Sequence, residues 1–236
     1  MTSRLPIWLF DLDNTLHDAS FAIFPAISRN MNGYMADLLG DGVTPADAGL
    51  VNTVRQQYWQ RYGATLLGLV KHHGVCADKF LQAAHQFDDL ASMIRAERGL
   101  ARLFRCLPGQ KILLTNAPRM YSKQVLRHLG LHRHFARHIP IEAMRVHGQL
   151  QPKPSRQFLR KLLAELGVPA RDCILVEDTI SNLRAAKRVG MRTALVTRYS
   201  RQEGHKNTAA CVDVKVKSVI NLARHGRRLY RAEISL

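Results

Sequence analysis

Two carboxylates, Asp11 and Asp13, stand at the end of the apolar run Ile7-Trp8-Leu9-Phe10. Alternate residues of a strand share a face. At a strand's end the backbone can flare, so that one carboxyl reaches a cation while the other reaches past it to a substrate. Carboxylates this close are costly without a cation beside them, so the pair points to metal-assisted chemistry on an anion. Further polar groups follow later apolar runs: Thr115-Asn116 after Ile112-Leu113-Leu114, and Glu177-Asp178 after Cys173-Ile174-Leu175-Val176. Lys153, between Pro152 and Pro154 just before a predicted helix, can be held as a fixed cation. Carboxylates suit Mg²⁺, a hydroxyl and backbone amides suit phosphate oxygens, and a lysine suits developing negative charge. Together they make the parts of a phosphoryl-transfer site.

The elements that must position these groups are legible as short, continuous apolar runs, the pattern of strands buried on both faces. Strands are predicted over 7–10, 111–114, 173–176 and 193–196, with a weaker one over 139–141 and an edge strand through Val212, Val214 and Val216 that leads into a basic helix. Helices are predicted over 121–129, 154–166 and 181–189. Strands alternating with helices of about a dozen residues mean βαβ units. The fold class is therefore α/β, a doubly wound, Rossmann-like parallel sheet whose ligand crevice lies at the carboxyl ends of the strands. Residues from Phe21 to Leu107 instead carry helical periodicity, with breaks near Gly40-Asp41-Gly42 and His73-Gly74. There Thr44-Pro45-Ala46-Asp47 resembles a helix start with proline in its first turn. The domain reading is a core of residues 1–18 and 108–236, interrupted by an all-helical cap of residues 19–107 that forms a lid over Asp11.

A chain of 236 residues, 46% hydrophobic, can bury a sizeable core. Its apolar stretches are all shorter than a membrane span and its N-terminal run too short for a secretory signal, which makes the cytoplasm the expected compartment. Cys76, Cys106, Cys173 and Cys211 form no C-x-x-C pair and read as reduced, mostly buried thiols. The net charge of +17 favours anionic ligands. It is partly clustered, at His128, His132, Arg133, His134, Arg137 and His138 and again at Lys215, Lys217, Arg224, Arg227, Arg228 and Arg231. Stacking aromatics do not interleave those residues in the manner of single-strand binders, so a solvated basic surface is favoured over a nucleic-acid site.

Asp11-Leu12-Asp13-Asn14-Thr15-Leu16, Leu114-Thr115-Asn116-Ala117, Lys153-Pro154 and Glu177-Asp178, in this order and on strand ends, resemble the four motifs of the haloacid dehalogenase superfamily. The run from Tyr62 to Leu69 and the segment Phe87-Asp88-Asp89-Leu90 resemble its phosphatases of the pyrimidine 5′-nucleotidase type. The resemblance implies that Asp11 is the nucleophile and forms an aspartyl-phosphate, and that Asp13 is the general acid and base. It implies Mg²⁺ as cofactor, held by the Asp11 carboxylate, the Asp13 backbone carbonyl and Asp178. Thr115, the amide of Asn116 and Lys153 would bind phosphate, Lys153 also steadying Asp11. Glu177 and Asn182 become candidates for supporting that set, and His17, Tyr62 and Thr65 for touching substrate. Two departures stand out: His17 replaces the subfamily's usual tyrosine, and Glu177 its usual aspartate, as in related sugar-phosphate mutases. An acid at position 13 argues against halide displacement, because the superfamily's dehalogenases lack one there.

The function this implies is Mg²⁺-dependent hydrolysis of a small phosphorylated metabolite, foremost a pyrimidine nucleoside 5′-monophosphate. The alternative is a phosphoglycolate or sugar-phosphate phosphatase, or a phosphomutase of the same fold. A lesser alternative is a basic nucleic-acid-binding protein with a secondary phosphatase site. No membrane partner is indicated, and no pattern reads out an oligomeric state.

Overall fold

Four apolar residues, Ile7–Phe10, form the central strand β1 of a six-stranded parallel sheet. The structure, a computed structural model, describes residues 5–200, 210–225 and 229–230. Arg227, Arg228 and Arg231 of the second basic cluster lie outside them. The remaining strands of the sheet are β2 (Gln110–Leu114), β3 (Arg137–Ile139), β6 (Cys173–Glu177), β7 (Arg192–Val196) and β8 (Val214–Val216), in the spatial order β3-β2-β1-β6-β7-β8. β4 (Arg145–Val146) and β5 (Gln149–Leu150) form a separate antiparallel hairpin that the apolar pattern does not announce.

Both faces of β1 are covered, which is why its sequence reads as one unbroken apolar run. Ile7 and Leu9 join Ile112, Leu114, Cys173 and Leu175 in a core closed by Phe158, Leu159 and Leu162 of α8 (Arg156–Leu166) and Leu183 and Ala186 of α9 (Ile180–Arg188). On the other face Phe10 meets the ring of Phe104, 4.8 Å between centroids, from α6 (Leu100–Cys106). α8 begins at Ser155, whose hydroxyl accepts from the Phe158 amide, and ends on Gly167 in the left-handed conformation. α7 (Arg119–His128) follows β2. The predicted strand over 139–141 lies earlier, because Ile141 already opens a 3₁₀ turn. The segment after β8, predicted as a basic helix, is a 3₁₀ helix over Val219–His225.

Contacts divide the chain into two compact units, Met1–Ser20 with Ile94–Leu236, and Phe21–Met93. The predicted cap boundary at Leu107 therefore moves to Met93: Phe104 of α6 stacks on the sheet, and Glu97 pairs with Arg198 beyond β7. The second unit is all helical, with α1 (Ile23–Leu39), α2 (Ala48–Tyr62), α3 (Thr65–His73), α4 (Ala77–Ala84) and the short α5 (Leu90–Met93). α2 is capped by Asp47, whose carboxylate accepts from Gly49 and Leu50, so Pro45 lies ahead of the helix and not in its first turn. Within this unit Gly68 of α3 lies directly under the Tyr58 ring of α2. A Cβ there would fall 2.2 Å from the ring, so the two helices can approach this closely only through glycine. The four cysteines are free, and Cys76 and Cys106 are exposed, contrary to the expectation of mostly buried thiols.

Candidate active site

The strand order places the chemistry. β1 is flanked by β2 on one side and β6 on the other, and connections leave in opposite directions from this point, the switch at which open α/β sheets form a crevice. Phe10 pairs with Leu113 and with Val176, and the ladder continues as the Asp11 amide donates to the Val176 carbonyl at 3.0 Å. Asp11 therefore emerges beside Glu177. Thr115, one residue past β2, donates its amide to Ile139.

Lys153 comes from the loop before α8, and its Nζ donates to Asp11 Oδ1 at 2.6 Å and to Glu177 Oε2 at 2.7 Å. Asn116 holds that loop at both ends of its amide: Nδ2 donates to the Lys153 carbonyl, and Oδ1 accepts from the Lys153 amide. Glu177 is fully engaged. Its Oε1 accepts from the amides of Asp178 and Thr179, and its Oε2 from Lys153 and from Asn182 Nδ2 at 2.9 Å. A carboxylate offers about four lone-pair sites, so Glu177 fits the role of anchor for Lys153 better than that of a metal ligand. Asn182 in turn anchors Glu177.

Asp11, Glu177 and Asp178 are all buried, with ligand oxygens within 4.8 Å of one another. Burial, then the Glu177 charge, pushes the Asp11 carboxyl up to about 8, against the pull of Lys153. Burial, then Glu177 and Asp11, pushes Asp178 up to about 9. Burial also acts to raise Glu177, but Lys153 and the hydrogen bonds from Asp178, Lys153 and Asn182 outweigh it and hold that carboxyl low. For Lys153 burial acts to lower the ammonium, and Asp11 and Glu177 together overcome it. Three buried carboxylates against one buried ammonium leave two formal negative charges. A small, oxygen-preferring divalent cation fits such a donor set and would offset both the repulsion and the burial cost.

Asp13 lies two residues beyond Asp11, within a tight turn in which the Leu12 carbonyl accepts from Leu16 and Asn14 adopts φ 57°. Asn14 and Ser20 bond reciprocally and close that turn. The turn brings His17 back onto Asp13, Nε2 to Oδ1 at 2.9 Å. Tyr121, from the first turn of α7, donates its hydroxyl to the same oxygen at 2.6 Å. His17 is fully buried. It is built into the support of Asp13 and is not open to a substrate, as the sequence reading had allowed.

Of the sequence-derived candidates, Asp11, Asp13, Thr115, Asn116, Lys153, Glu177 and Asp178 lie at the carboxyl ends of β1, β2 and β6 or in the loop before α8, and Asn182 lies in the first turn of α9. Thr115 is buried, and its hydroxyl accepts from the Ala117 amide at 3.0 Å. Tyr62 and Thr65 belong to the helical unit. There the Tyr62 hydroxyl meets His72 Nε2 at 2.5 Å, and Thr65 is buried at the start of α3. Tyr121 escaped sequence reading. Its signal was a phenol on the buried face of a helix that starts just past a polar strand end, paired at i, i+4 with Val125.

A doubly wound parallel sheet with a lysine–carboxylate cluster at its switch point defines an α/β protein with its polar crevice at the strand ends. The chain belongs to the haloacid dehalogenase-like hydrolase family, whose pattern it matches over residues 7–190. It is 26% identical over 212 residues to phosphoglycolate phosphatase 1 of Pseudomonas aeruginosa, an alignment that covers 83% of this chain and 71% of that one. Its fold is similar to that of a haloacid dehalogenase-type phosphatase from Thermococcus onnurineus, with TM-score 0.61, 15% identity, and 94% of this chain and 97% of that one covered. It is also similar to a Thermotoga maritima protein named for β-phosphoglucomutase, with TM-score 0.59, 18% identity, and 95% and 100% covered.

Proposed function

We propose that this chain is a Mg²⁺-dependent phosphomonoester hydrolase that acts on a small phosphorylated acid or sugar of the phosphoglycolate type. The observation that carries the reading is Asp11 held by Lys153 inside a buried carboxylate cluster, with Asp13 two residues on. The Pseudomonas relative supports the substrate class. Hydrolysis of nucleoside 5′-monophosphates, the first expectation from sequence, rests on the Tyr62–Leu69 run and the segment Phe87-Asp88-Asp89-Leu90, and has no support from the relatives. Among the described residues no helix is long and apolar enough to cross a membrane, and the reading assigns the enzyme to the cytoplasm.

In this mechanism Asp11 attacks phosphorus as the ester P–O bond breaks, and the departing alkoxide takes a proton from Asp13. Water then attacks the phosphorus of the aspartyl-phosphate and gives its proton to Asp13. The bond to Asp11 breaks and inorganic phosphate leaves. Lys153 holds Asp11 in place and faces the phosphoryl oxygens, while the Thr115 hydroxyl and the Asn116 amide orient them. Mg²⁺, held by Asp11, Asp178 and the Asp13 carbonyl, would supply charge neutralisation between carboxylate and phosphoryl group. Glu177 and Asn182 keep Lys153 aimed.

Phosphate release from phosphoglycolate, sugar phosphates and nucleoside monophosphates, with Mg²⁺ and with chelator, tests the reading. Release that requires Mg²⁺ and is fastest on phosphoglycolate or a sugar phosphate is expected. No release from any monoester by the folded protein overturns the reading, and fastest release from a pyrimidine nucleotide overturns the substrate class.

A further inference from the structure

Two donors converge on one oxygen of Asp13, and this sets how the proton-transferring carboxyl is used. Tyr121 Oη and His17 Nε2 both lie within hydrogen-bond distance of Oδ1, at 2.6 and 2.9 Å, and 3.5 Å from each other. An ionised carboxylate only accepts, so both partners must donate, and His17 carries its hydrogen on Nε2. Each carboxylate oxygen has two lone-pair sites, and at Oδ1 both are taken.

We propose that Tyr121 and His17 are positioning residues that clamp Oδ1 of Asp13, so that Oδ2 is the oxygen that gives the proton to the leaving group and recovers it from water. The inference rests on the role given to Asp13 under Proposed function. Two independent elements deliver the clamp. His17 arrives through the turn closed by Asn14 and Ser20, and Tyr121 through the start of the helix after β2. The cost is visible as well: His17 Nδ1 is buried with no hydrogen-bond partner. An orphaned buried polar atom carries a desolvation cost that an isoleucine or leucine in that place would not incur. A histidine there is therefore explained by its bond to Asp13. The carboxyl cannot rotate about its Cβ–Cγ bond without breaking both bonds to Oδ1. That rigidity is what general acid catalysis of a poor leaving group needs and what a good leaving group can do without.

The test compares phosphoglycolate, whose alkoxide must be protonated as it leaves, with p-nitrophenyl phosphate, whose phenolate leaves without a proton. kcat/KM reports the first phosphoryl transfer on both. Tyr121→Phe is expected to lower kcat/KM for phosphoglycolate by about ten- to a hundredfold and by a much smaller factor for p-nitrophenyl phosphate, through kcat with KM little changed. His17→Leu should show the same selective loss, and His17→Gln, whose amide nitrogen can replace Nε2, should recover part of it. In an Asp13→Asn background Tyr121→Phe should add nothing further on p-nitrophenyl phosphate. Equal losses on both substrates, no loss at all, or full additivity with Asp13→Asn would overturn the clamp. If His17→Leu does not fold, Tyr121→Phe, which removes one oxygen, still decides. Wild-type protein inactive on both substrates would instead refute the underlying phosphatase reading.

Discussion

Two polar clusters in this molecule are built in opposite ways. In the sheet unit, Asp11, Lys153, Glu177 and Asp178 are buried, and each side chain has a named hydrogen-bond partner at 2.6–3.2 Å. In the helical unit, Tyr58, Tyr62, His72 and His73 form an equally dense set. Tyr58 stacks on His72 at 5.4 Å and bonds to His73, Tyr62 bonds to His72, and Lys71 lies over the Tyr62 ring. Both histidines of that set are exposed to water, and both tyrosines are partly so. Water screens and replaces what exposed groups do for each other, whereas a buried charge that loses its partner has no substitute. The first cluster should therefore be intolerant of any change and the second tolerant in stability, whatever it contributes to selectivity.

The largest effect is expected at the nucleophile. Asp11→Asn should lower turnover by at least about 10⁴-fold, read as phosphate release and as loss of a trappable acyl-phosphate. Activity near wild type in that variant would remove the buried cluster from catalysis. Next comes Lys153→Met, which leaves Asp11, Glu177 and Asp178 without their ammonium. Breaking one side of a buried ion pair costs about 3–5 kcal/mol, so denaturant melts in chelator should show a loss of that order, and saturating Mg²⁺ should recover part of it.

The pH dependence sharpens the same contrast. Asp11 and Asp178, at about 8 and 9, have folded-state values raised above the ordinary carboxylate range near 4. The folded metal-free protein therefore holds more protons than the unfolded chain between these limits, and its stability falls as pH rises from about 4 through 9. Metal ligands must be deprotonated, so apparent Mg²⁺ affinity should climb over pH 6–9, and the stabilisation by Mg²⁺ should grow with it. Thermal melts across that range, with and without Mg²⁺, check both signs. A metal-free melting temperature that rises through this window would contradict the assigned cluster. The smallest effect is expected at Tyr62→Phe, which removes a water-accessible bond to His72. Its stability shift should stay within about 0.5 kcal/mol, measured by the same denaturant melts.

Much of the site was legible because parallel strands and their polar ends are local patterns. Ile7–Phe10, Cys173–Val176 and Ala194–Val196 are continuous apolar runs because both faces of the sheet are covered, and the polar residues that stop the first two, Asp11 and Glu177, are those left at the crevice. The hairpin at Arg145–Leu150 was not legible, since two-residue strands have no period to detect. The cap boundary was misplaced because α6 has the composition of the preceding helices, and only the packing of Phe104 on Phe10 assigns it to the sheet. His17 carried a substrate expectation because its neighbours in sequence are catalytic candidates, and burial reversed that.

What the sequence by itself determined is the chemistry: which groups can carry charge, accept a phosphoryl group or hold a cation, and that they stand on strand ends. These follow from residue type and from periods of a few residues. What only the tertiary structure decided is which of those groups meet. Lys153 finds Glu177 as well as Asp11, Glu177 becomes an anchor, and Tyr121, 108 positions from Asp13, arrives on the same oxygen as His17. Those contacts depend on strand order and on the burial that makes each unpaired charge costly, and neither is written in any short stretch of the chain.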